Sequence, residues 1–269
     1  MYTNPHIERT LSKYPSFFIF DDHEIYDNWD DRQAGPYLNA MDAWDSFLGL
    51  GNPDRNSSEP EVRYYDFSYG DSAFFVLDTR SHRSPNTDPE GVNKTMLGAT
   101  QKQRLFSWLL QKNSTSVFKF LVSSVGWTEK LSKDMDGWGK GFATERAELF
   151  DFIRVNNITG CVFLSADSHF AYGPVHLDHK DSGFMEFSAS PLSAFSGSGF
   201  GRTSMTANDP NSNESIEFFS VGGGAFVSLL GVIDVDTTVS EPYFNVSFYE
   251  GTELISRSTI QASKLVPKP

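Results

Sequence analysis

The sequence lacks the features of three common classes of protein. It has a single cysteine, Cys161, among 269 residues, so it cannot form an internal disulfide framework. Lys and Arg number 22 against 35 Asp and Glu, and the net charge of −13 leaves no broad basic surface for a nucleic acid. The longest apolar runs, such as residues 225–233, are too short to cross a membrane. We therefore expect neither nucleic-acid binding nor a transmembrane segment.

The sequence signals for localisation disagree with one another. Residues 1–10 are polar and contain no apolar h-region, so they do not form a secretory signal. Asn-x-Ser/Thr acceptor sites are nevertheless frequent, since about two are expected by chance. The sequence has six, which begin at Asn56, Asn93, Asn113, Asn157, Asn213 and Asn245. We expect N-glycans and a secreted or endomembrane-lumen location, with an N-terminal part of the protein preceding this sequence.

The composition predicts one globular α/β domain over residues 1–269. Hydrophobic residues make up 39% and aromatic residues 14%, which is enough for a large core. Apolar residues at helical spacing predict helices at 37–50, 100–113 and 144–157, and short apolar runs predict strands at 16–20, 63–69, 72–77, 116–122 and 161–164. This order indicates crossover units over a buried sheet, and Cys161 is expected to be a buried strand thiol. An irregular loop over 188–213 and a closing β meander over 225–262 complete the prediction.

The densest group of polar residues directly follows the first predicted strand. It consists of Asp21, Asp22, His23 and Glu24. Unpaired carboxylates beside a buried strand repel one another and lose hydration, and a bound cation would relieve both costs. Carboxylate and imidazole donors suit Zn, Fe, Mn or Ca. The alternative is an ordinary turn with solvated charges.

A second group has the same placement. Asp167 and His169 follow the strand predicted at 161–164, and an Asp-x-His pair after a strand can return both side chains to one point. In open α/β sheets, ligands bind beyond the carboxyl ends of strands, where both groups lie. A hydrogen-bonded histidine is the alternative for one such site, but two sites in one chain favour a metal.

Two further groups are weaker candidates. Arg80 follows the strand at 72–77 and could bind a phosphate in a bidentate manner, with Asp78 orienting it; a surface ion pair is the alternative. The other group is His176, Asp178, His179 and Asp181, which resembles a ligand set. Its strongly polar surroundings favour a solvated loop.

These motifs together resemble the PhoD-like (alkaline phosphatase D) family of metallophosphatases. Residues 17–24 with Asn28 and Trp29 resemble the family's Trp-Asp-Asp-His-Glu segment, and Leu77-Asp78-Thr79-Arg80 resembles its Leu-Asp-Thr-Arg. Residues 97–109, 136–146 and 166–169 resemble its Leu-Gly-x-x-Gln with Trp-Leu, its Asp-x-Trp with Glu-Arg, and its Gly-Asp-x-His. The matches are collinear over about residues 15–190, which makes the set specific.

The resemblance implies a fold, a reaction and a set of site residues. The fold would be a layered α/β sandwich of two mixed β-sheets flanked by helices, incomplete at its N-terminus. The reaction would be the hydrolysis of small phosphate mono- or diesters at a centre of divalent or trivalent metal ions. The metal ligands would be Asp21, Asp22, Asn28, Asp167 and His169, and His23 would stabilise the transition state or protonate the leaving oxygen. Arg80 joins His23 as a candidate catalytic residue.

The sequence also departs from the family pattern. Phe20 stands in place of the family Trp and Ala166 in place of Gly. Nothing before Asp21 matches the ligands that the family places upstream. The hypotheses are therefore a phosphatase that lacks its N-terminal part here, a catalytically impaired pseudoenzyme or binding module, and, more weakly, a carbohydrate-binding ectodomain.

Overall fold

The computed structural model describes residues 9–31, 34–53, 62–129, 135–190, 194–195, 207–208, 213–217, 219–220 and 226–269. Within these residues the helices are α1 (Tyr37–Phe47), α2 (Gly98–Asn113), α3 (Trp138–Gly141) and α4 (Ala143–Val155), with 3-10 turns at Asp22–Glu24, Gly49–Gly51 and Ala262–Lys264. No described helix combines the length and the apolar character that a membrane span requires.

A nine-stranded mixed sheet forms the centre of the molecule. Its strands are β1 (Tyr65–Tyr69), β2 (Ser72–Val76), β3 (Phe118–Val122), β4 (Cys161–Ser165), β5 (Ala171–His176), β6 (Met185–Ala189), β8 (Ala207–Asn208), β9 (Ser215–Ile216) and β10 (Phe219–Ser220), and β7 (Ala194–Phe195) lies outside it. They lie in the order β1-β2-β3-β4-β6-β5-β9-β8, and β10 pairs with β5. The four strands β2, β3, β4 and β6 are parallel, whereas the flanking pairs are antiparallel. The carboxyl ends of the parallel strands therefore share one edge.

Helices cover one face of this sheet. The helix α2 connects β2 to β3, and α4 lies between β3 and β4, as expected for crossovers between parallel strands. Trp108 of α2 packs against Phe75 of β2, and Phe150 of α4 packs against Phe163 of β4. These contacts bury the helical face, so this core holds the parallel strands and the loops that follow them in place.

A second sheet covers the other face. It consists of β12 (Leu229–Asp236), β13 (Tyr243–Glu250) and β14 (Glu253–Gln261) in antiparallel order. Phe244 of β13 meets Phe118, Phe120 and Phe187 of the central sheet edge-on, with ring centroids 5.2–5.9 Å apart. A short strand β11 (Phe226–Val227) pairs with β7. The molecule is thus a layered α/β sandwich, as predicted, and its second sheet is antiparallel throughout the described residues.

Most of the predicted elements are present. The hairpin β1–β2, the helices α1, α2 and α4 and the strands β3 and β4 all appear within a few residues of their expected bounds. Cys161 is buried in β4, and burial raises the pKa of its thiol to about 12. The predicted loop at 188–213 lies largely outside the described residues, and its described parts include β7 and β8.

The strand predicted at residues 16–20 is wrong. This segment is extended, but among the described residues it has no strand partner. The backbone N–H and C=O of Phe18 bond instead to the side-chain amide of Asn52, at 2.8 and 2.7 Å. Phe20 is buried against Trp44 and Tyr37, which fixes the end of the segment in space. The apolar pattern correctly indicated burial at Phe20, but it could not show whether a neighbouring strand was present.

Candidate metal centre

Three carboxylates converge at the shared edge of the central sheet. Ligand oxygens of Asp21, Asp22 and Asp167 lie within 4.8 Å of one another. Asp21 and Asp22 end the extended segment and begin the 3-10 turn, while Asp167 lies in the loop between β4 and β5. The structure therefore brings together residues of the two groups singled out in the sequence, across 145 positions of the chain.

Backbone hydrogen bonds fix the orientation of Asp22. Its side chain is buried, and its Oδ1 accepts a hydrogen bond from the backbone N–H of His23 at 2.8 Å. Its Oδ2 accepts one from the backbone N–H of Asn28 at 2.6 Å. Asn28 has a φ of 56°, a left-handed conformation that asparagine tolerates better than most residues. This local turn holds the carboxylate at the mouth of the site.

A fully buried guanidinium holds Asp21. The Nε of Arg80 donates to Asp21 Oδ1 at 2.6 Å, and Ser124 Oγ donates to the same oxygen at 2.8 Å. The remaining N–H groups of Arg80 bond to the backbone O of Trp29 at 3.1 Å and, in a bidentate pair, to Asp136 at 2.8 and 2.7 Å. Arg80 thus bonds to protein groups on three sides, and the structure places its guanidinium behind the carboxylates.

Asp136 also belongs to this network, although it was not among the site residues predicted from the sequence. Its side chain is buried and accepts hydrogen bonds from Arg80 and, at 3.0 Å, from Asn86, and it forms an ion pair with Arg83 at 3.0 Å. Burial alone would raise its pKa, but the guanidinium groups of Arg83 and Arg80 lower it below its usual range. Its place in an Asp-x-Trp motif was visible, but its ion pair with a residue 56 positions away was not.

The pKa of Asp167 is shifted in the opposite direction from that of Asp136. Its pKa is raised to about 8, first by burial and then by the negative charges of Asp21 and Asp136, which outweigh Arg80. Its φ of 65° is left-handed, which turns the residue away from the line of β4. Carboxylates this close together repel one another, and a bound cation would offset the repulsion because it attracts each of them. The donor set present therefore fits a metal.

The other predicted site residues lie around these three. His23 is 68% exposed, with its Nε2 3.9 Å from Asp22 Oδ2 and 3.4 Å from Asp27 Oδ1. Asn28 directs its amide to Asp27 at 3.2 Å and meets Asp22 through its backbone. His169 is half-buried with a φ of 60°, and it is not among the three residues that converge.

The two weaker candidate groups have other partners. Asp78 caps its own turn, because its carboxylate accepts bonds from the backbone N–H of Arg80 and from the N–H and hydroxyl of Ser81. In the polar group near the end of β5, His176 pairs with Glu217 at 2.8 Å and Asp178 pairs with Arg154. Neither group belongs to a set of converging metal donors in the described part of the chain.

Comparisons with known proteins identify a family and a fold for the chain. The family model for PhoD-like phosphatase matches residues 1–222. A solved structure of PhoD has 21% sequence identity and a TM-score of 0.60 to the chain; the match covers 93% of this chain and 53% of that one, so the chain spans about half its length. A purple acid phosphatase, PPD1 from yellow lupin (Lupinus luteus) seeds, has 12% identity and a TM-score of 0.43, with 79% and 36% covered. No curated protein matches the chain.

Proposed function

Because the chain belongs to the PhoD-like phosphatase family, we propose that it hydrolyses small phosphate mono- or diesters at a metal centre. One observation carries this proposal, namely the convergence of Asp21, Asp22 and Asp167 within 4.8 Å. Oxygen donors at this separation match the needs of a hard divalent or trivalent cation, such as Ca, Mn, Fe or Zn. The proposed substrate class follows from the family and from the chemistry of such a centre.

The proposed metal ligands come from two loops. Asp21 and Asp22 from the first loop and Asp167 from the second would hold the cation, and we assign Asn28 and His169, in the same loops, as further ligands. When bound, the metal supplies Lewis-acid stabilisation of the phosphoryl oxygens and lowers the pKa of water. Asp22 is best prepared for this role, since two backbone N–H groups already orient its carboxylate.

His23 is the proposed acid of the reaction. Its ring is exposed at the mouth of the site, and its Nε2 lies 3.9 Å from Asp22 Oδ2. An imidazole in this position can reach a leaving oxygen outside the carboxylate group and give it a proton, which is the usual task of histidine in such chemistry. The same nitrogen lies 3.4 Å from Asp27 Oδ1, so the imidazole stands between the carboxylates of Asp22 and Asp27.

Arg80 is proposed as a positioning residue. Its guanidinium bonds to Asp21, Trp29 and Asp136, so it acts on the reaction by fixing Asp21. It also places a positive charge under a group of carboxylates that would otherwise repel one another strongly. This role replaces the direct bond to a phosphate that the sequence suggested.

The test is metal-dependent hydrolysis by the full chain. After chelation, the protein is supplied separately with Ca²⁺, Mn²⁺, Fe³⁺ or Zn²⁺, and the hydrolysis of p-nitrophenyl phosphate and bis(p-nitrophenyl) phosphate is followed, with bound metal measured by mass spectrometry. The substitution Asp167→Asn should lower both hydrolysis and metal content, whereas Asp151→Asn on the exposed side of α4 should not. Equal rates and equal metal content in the two variants would contradict the proposal.

A pseudoenzyme that binds metal without turnover is the second candidate. The position of His169 outside the converging carboxylates favours it, because one of the ligands that the family resemblance implies is then missing from the set. The same experiment separates the two functions. Metal that is retained by the wild-type chain and lost in Asp167→Asn, without hydrolysis of either ester under any metal, would favour the pseudoenzyme.

Glycosylation and secretion are a separate proposal. The acceptor residues Asn93, Asn157 and Asn213 are exposed, as a glycan requires. Expression in a secreting eukaryotic host, followed by enzymatic removal of N-glycans, should lower the mass of the protein. An unchanged mass would contradict this proposal without touching the proposed reaction.

A further inference from the structure

An open apolar pocket lies beside the acidic cluster. It has a volume of about 430 Å³ and is lined on one side by Ala40, Ala43, Trp44, Phe47 and Leu48. His23 and Glu24 line its other side. This volume falls within the range of small-molecule sites, and it is larger than the apolar cavities of about 150 Å³ that hold a benzene ring. The pocket can therefore hold an organic group of one or two rings.

The pocket exists because α1 has two apolar faces. Tyr37, Met41 and Trp44 are buried against Phe20 and Trp29, and they fasten the helix to the protein. Residues 40, 43, 44 and 47 recur at the helical spacing and turn a second stripe toward the pocket. Two of these are alanines, whose small side chains leave the space open.

Phe47 is the unexpected member of this stripe. Its side chain is 80% exposed, although a large aromatic residue gains most when it is covered. An exposed aromatic ring beside a concave apolar surface is typical of a binding site for an apolar ligand. Trp44 forms the inner wall, and its ring is held against Phe20 at a centroid distance of 5.8 Å. The pocket thus has one rigid aromatic wall and one exposed ring.

His23 connects the pocket to the carboxylate cluster. Its ring lines the pocket, and its Nε2 lies 3.9 Å from Asp22 Oδ2. A ligand with one end at the carboxylates and the other in the pocket would pass directly over the imidazole. The leaving oxygen of an ester lies between the phosphoryl group and the organic group, which is the position where His23 would protonate it.

We infer that this pocket binds the organic group of the ester, and that the preferred substrates are phosphate esters of aromatic or medium-chain aliphatic alcohols. The inference rests on the proposed function. The charge of the surroundings supports a neutral group, because Glu24 lines the pocket and the chain carries a net charge of −13. Organic groups that carry a further negative charge should be excluded.

The test compares two phosphonates that cannot be hydrolysed. Methylphosphonate and 1-naphthylmethylphosphonate carry the same charged group and differ only in the apolar part. Their dissociation constants are measured by calorimetry on the metal-loaded full chain. We expect the naphthyl compound to bind about 30-fold more tightly, which corresponds to the removal of about 80 Å² of apolar surface from water.

Three variants test whether the difference in affinity between the two phosphonates arises in this pocket. Phe47→Ala removes one wall and Ala43→Phe fills the space, so each should lower the affinity ratio of the two phosphonates by about 5-fold or more. Leu38→Ala is the matched control, since Leu38 is an exposed apolar residue of the same helix that does not line the pocket. It should leave the ratio unchanged.

The outcomes separate the inference from the proposed function. Equal affinities for the two phosphonates, or a ratio that is the same in the wild-type chain and in all three variants, overturn the inference even when the esters are hydrolysed. A chain that neither binds a phosphonate nor hydrolyses an ester overturns the proposed function, and the inference with it. A ratio that falls only in Phe47→Ala and Ala43→Phe supports the inference.

Discussion

The protein contains two groups of buried or half-buried carboxylates, and the cost of holding these charges away from water is offset differently in each. In the first, Glu186 accepts hydrogen bonds from the backbone N–H groups of Trp127 and Thr128, at 2.8 and 2.9 Å, and from the hydroxyl groups of Ser165 and Tyr172. In the second, Asp21, Asp22 and Asp167 face one another within 4.8 Å. We call the first the closed group and the second the open group.

The closed group includes a second carboxylate, Glu214. It accepts bonds from Thr128 Oγ1 at 2.6 Å, from the backbone N–H of Glu129 at 2.9 Å and from Arg146 at 2.7 Å. Every carboxylate of this group is thus met by N–H and O–H donors of the protein. Such a network ties the loop after β3 to β4, β5 and β6 and has a structural role.

The two groups lie close together in the chain. Ser165 of β4 donates to Glu186 in the closed group, and Asp167, two residues later, belongs to the open group. The left-handed backbone of Asp167 separates them. Burial of acidic residues therefore does not by itself indicate a metal site. Convergence of three carboxylates on one another is the informative feature.

The largest effect on stability is expected from breaking the closed group. The substitution Arg146→Met removes the buried charge partner of Glu214, so the free energy of unfolding should fall by about 3–5 kcal/mol. Urea denaturation measures it. Arg154→Met is the control, because Arg154 is partly exposed and its two ion-pair partners, Asp151 and Asp178, are 72% and 41% exposed, whereas Glu214 is buried. Equal losses in the two variants would mean that the closed group has no special role.

A smaller loss is expected from Glu186→Gln. The amide can accept hydrogen bonds at one atom only, so at least one of the four donors around it loses its acceptor, at a cost of about 1–3 kcal/mol. The same denaturation measurement applies, and the metal content is measured separately by mass spectrometry. An unchanged metal content with reduced stability would agree with a structural role, whereas lost metal at full stability would contradict it.

Glu186 also predicts a pH dependence of stability. Its pKa in the folded protein is raised to about 7, mainly by burial, from an ordinary value of 4.5. The folded state therefore holds more protons than the unfolded state between these values, and stability should fall as the pH rises from about 4.5 through 7. Glu186→Gln should show a shallower fall over this range. An identical slope in the variant and the wild type would exclude Glu186 as the cause.

In the open group, removing a carboxylate should change the free energy of unfolding in the opposite direction and stabilise the metal-free protein. Without metal and at pH 9, Asp167→Asn removes a half-buried negative charge beside Asp21 and Asp136, so the chain should gain up to about 1 kcal/mol of stability. With saturating metal, the wild type should become the more stable of the two, because only it binds the ion well. Thermal unfolding in both conditions checks this, and a loss in the metal-free state would contradict it.

The smallest effect is expected on the surface. Asp151 is 72% exposed and pairs with Arg154 at 3.1 Å, so Asp151→Asn should change the free energy of unfolding by less than about 0.5 kcal/mol. This variant sets the baseline for both carboxylate groups in the same urea measurement. A larger change would show that exposure is a poor guide to the cost of losing a charge here.

Local patterns in the sequence predicted the open group well. Apolar runs that end in polar residues marked the carboxyl ends of β2 and β4, which parallel pairing brings to one edge. The same pattern marked Asp22 as a site residue, although the segment before it is not a strand. Helical spacing likewise predicted α1, α2 and α4, since burial of one face dominates the pattern of a long helix.

Contacts between distant residues could not be predicted in the same way. The bidentate pair of Arg80 with Asp136 spans 56 positions, and no local pattern records it. The same holds for the closed group. Glu186 lies in the apolar strand β6, and the backbone N–H groups that bond to it come from the loop after β3, so no local pattern predicts its role. The strand predicted at residues 16–20 was wrong for a related reason, since strand pairing depends on a partner elsewhere.

The most direct test of the account is metal binding by the chelated full chain. Titration with Mn²⁺, followed by calorimetry, compares the wild type with Asp167→Asn and Glu186→Gln. We predict binding in the wild type and in Glu186→Gln, and a loss of affinity of at least about 10-fold in Asp167→Asn. Equal affinity in all three proteins, or a loss confined to Glu186→Gln, would contradict the claim that the open group is the metal centre.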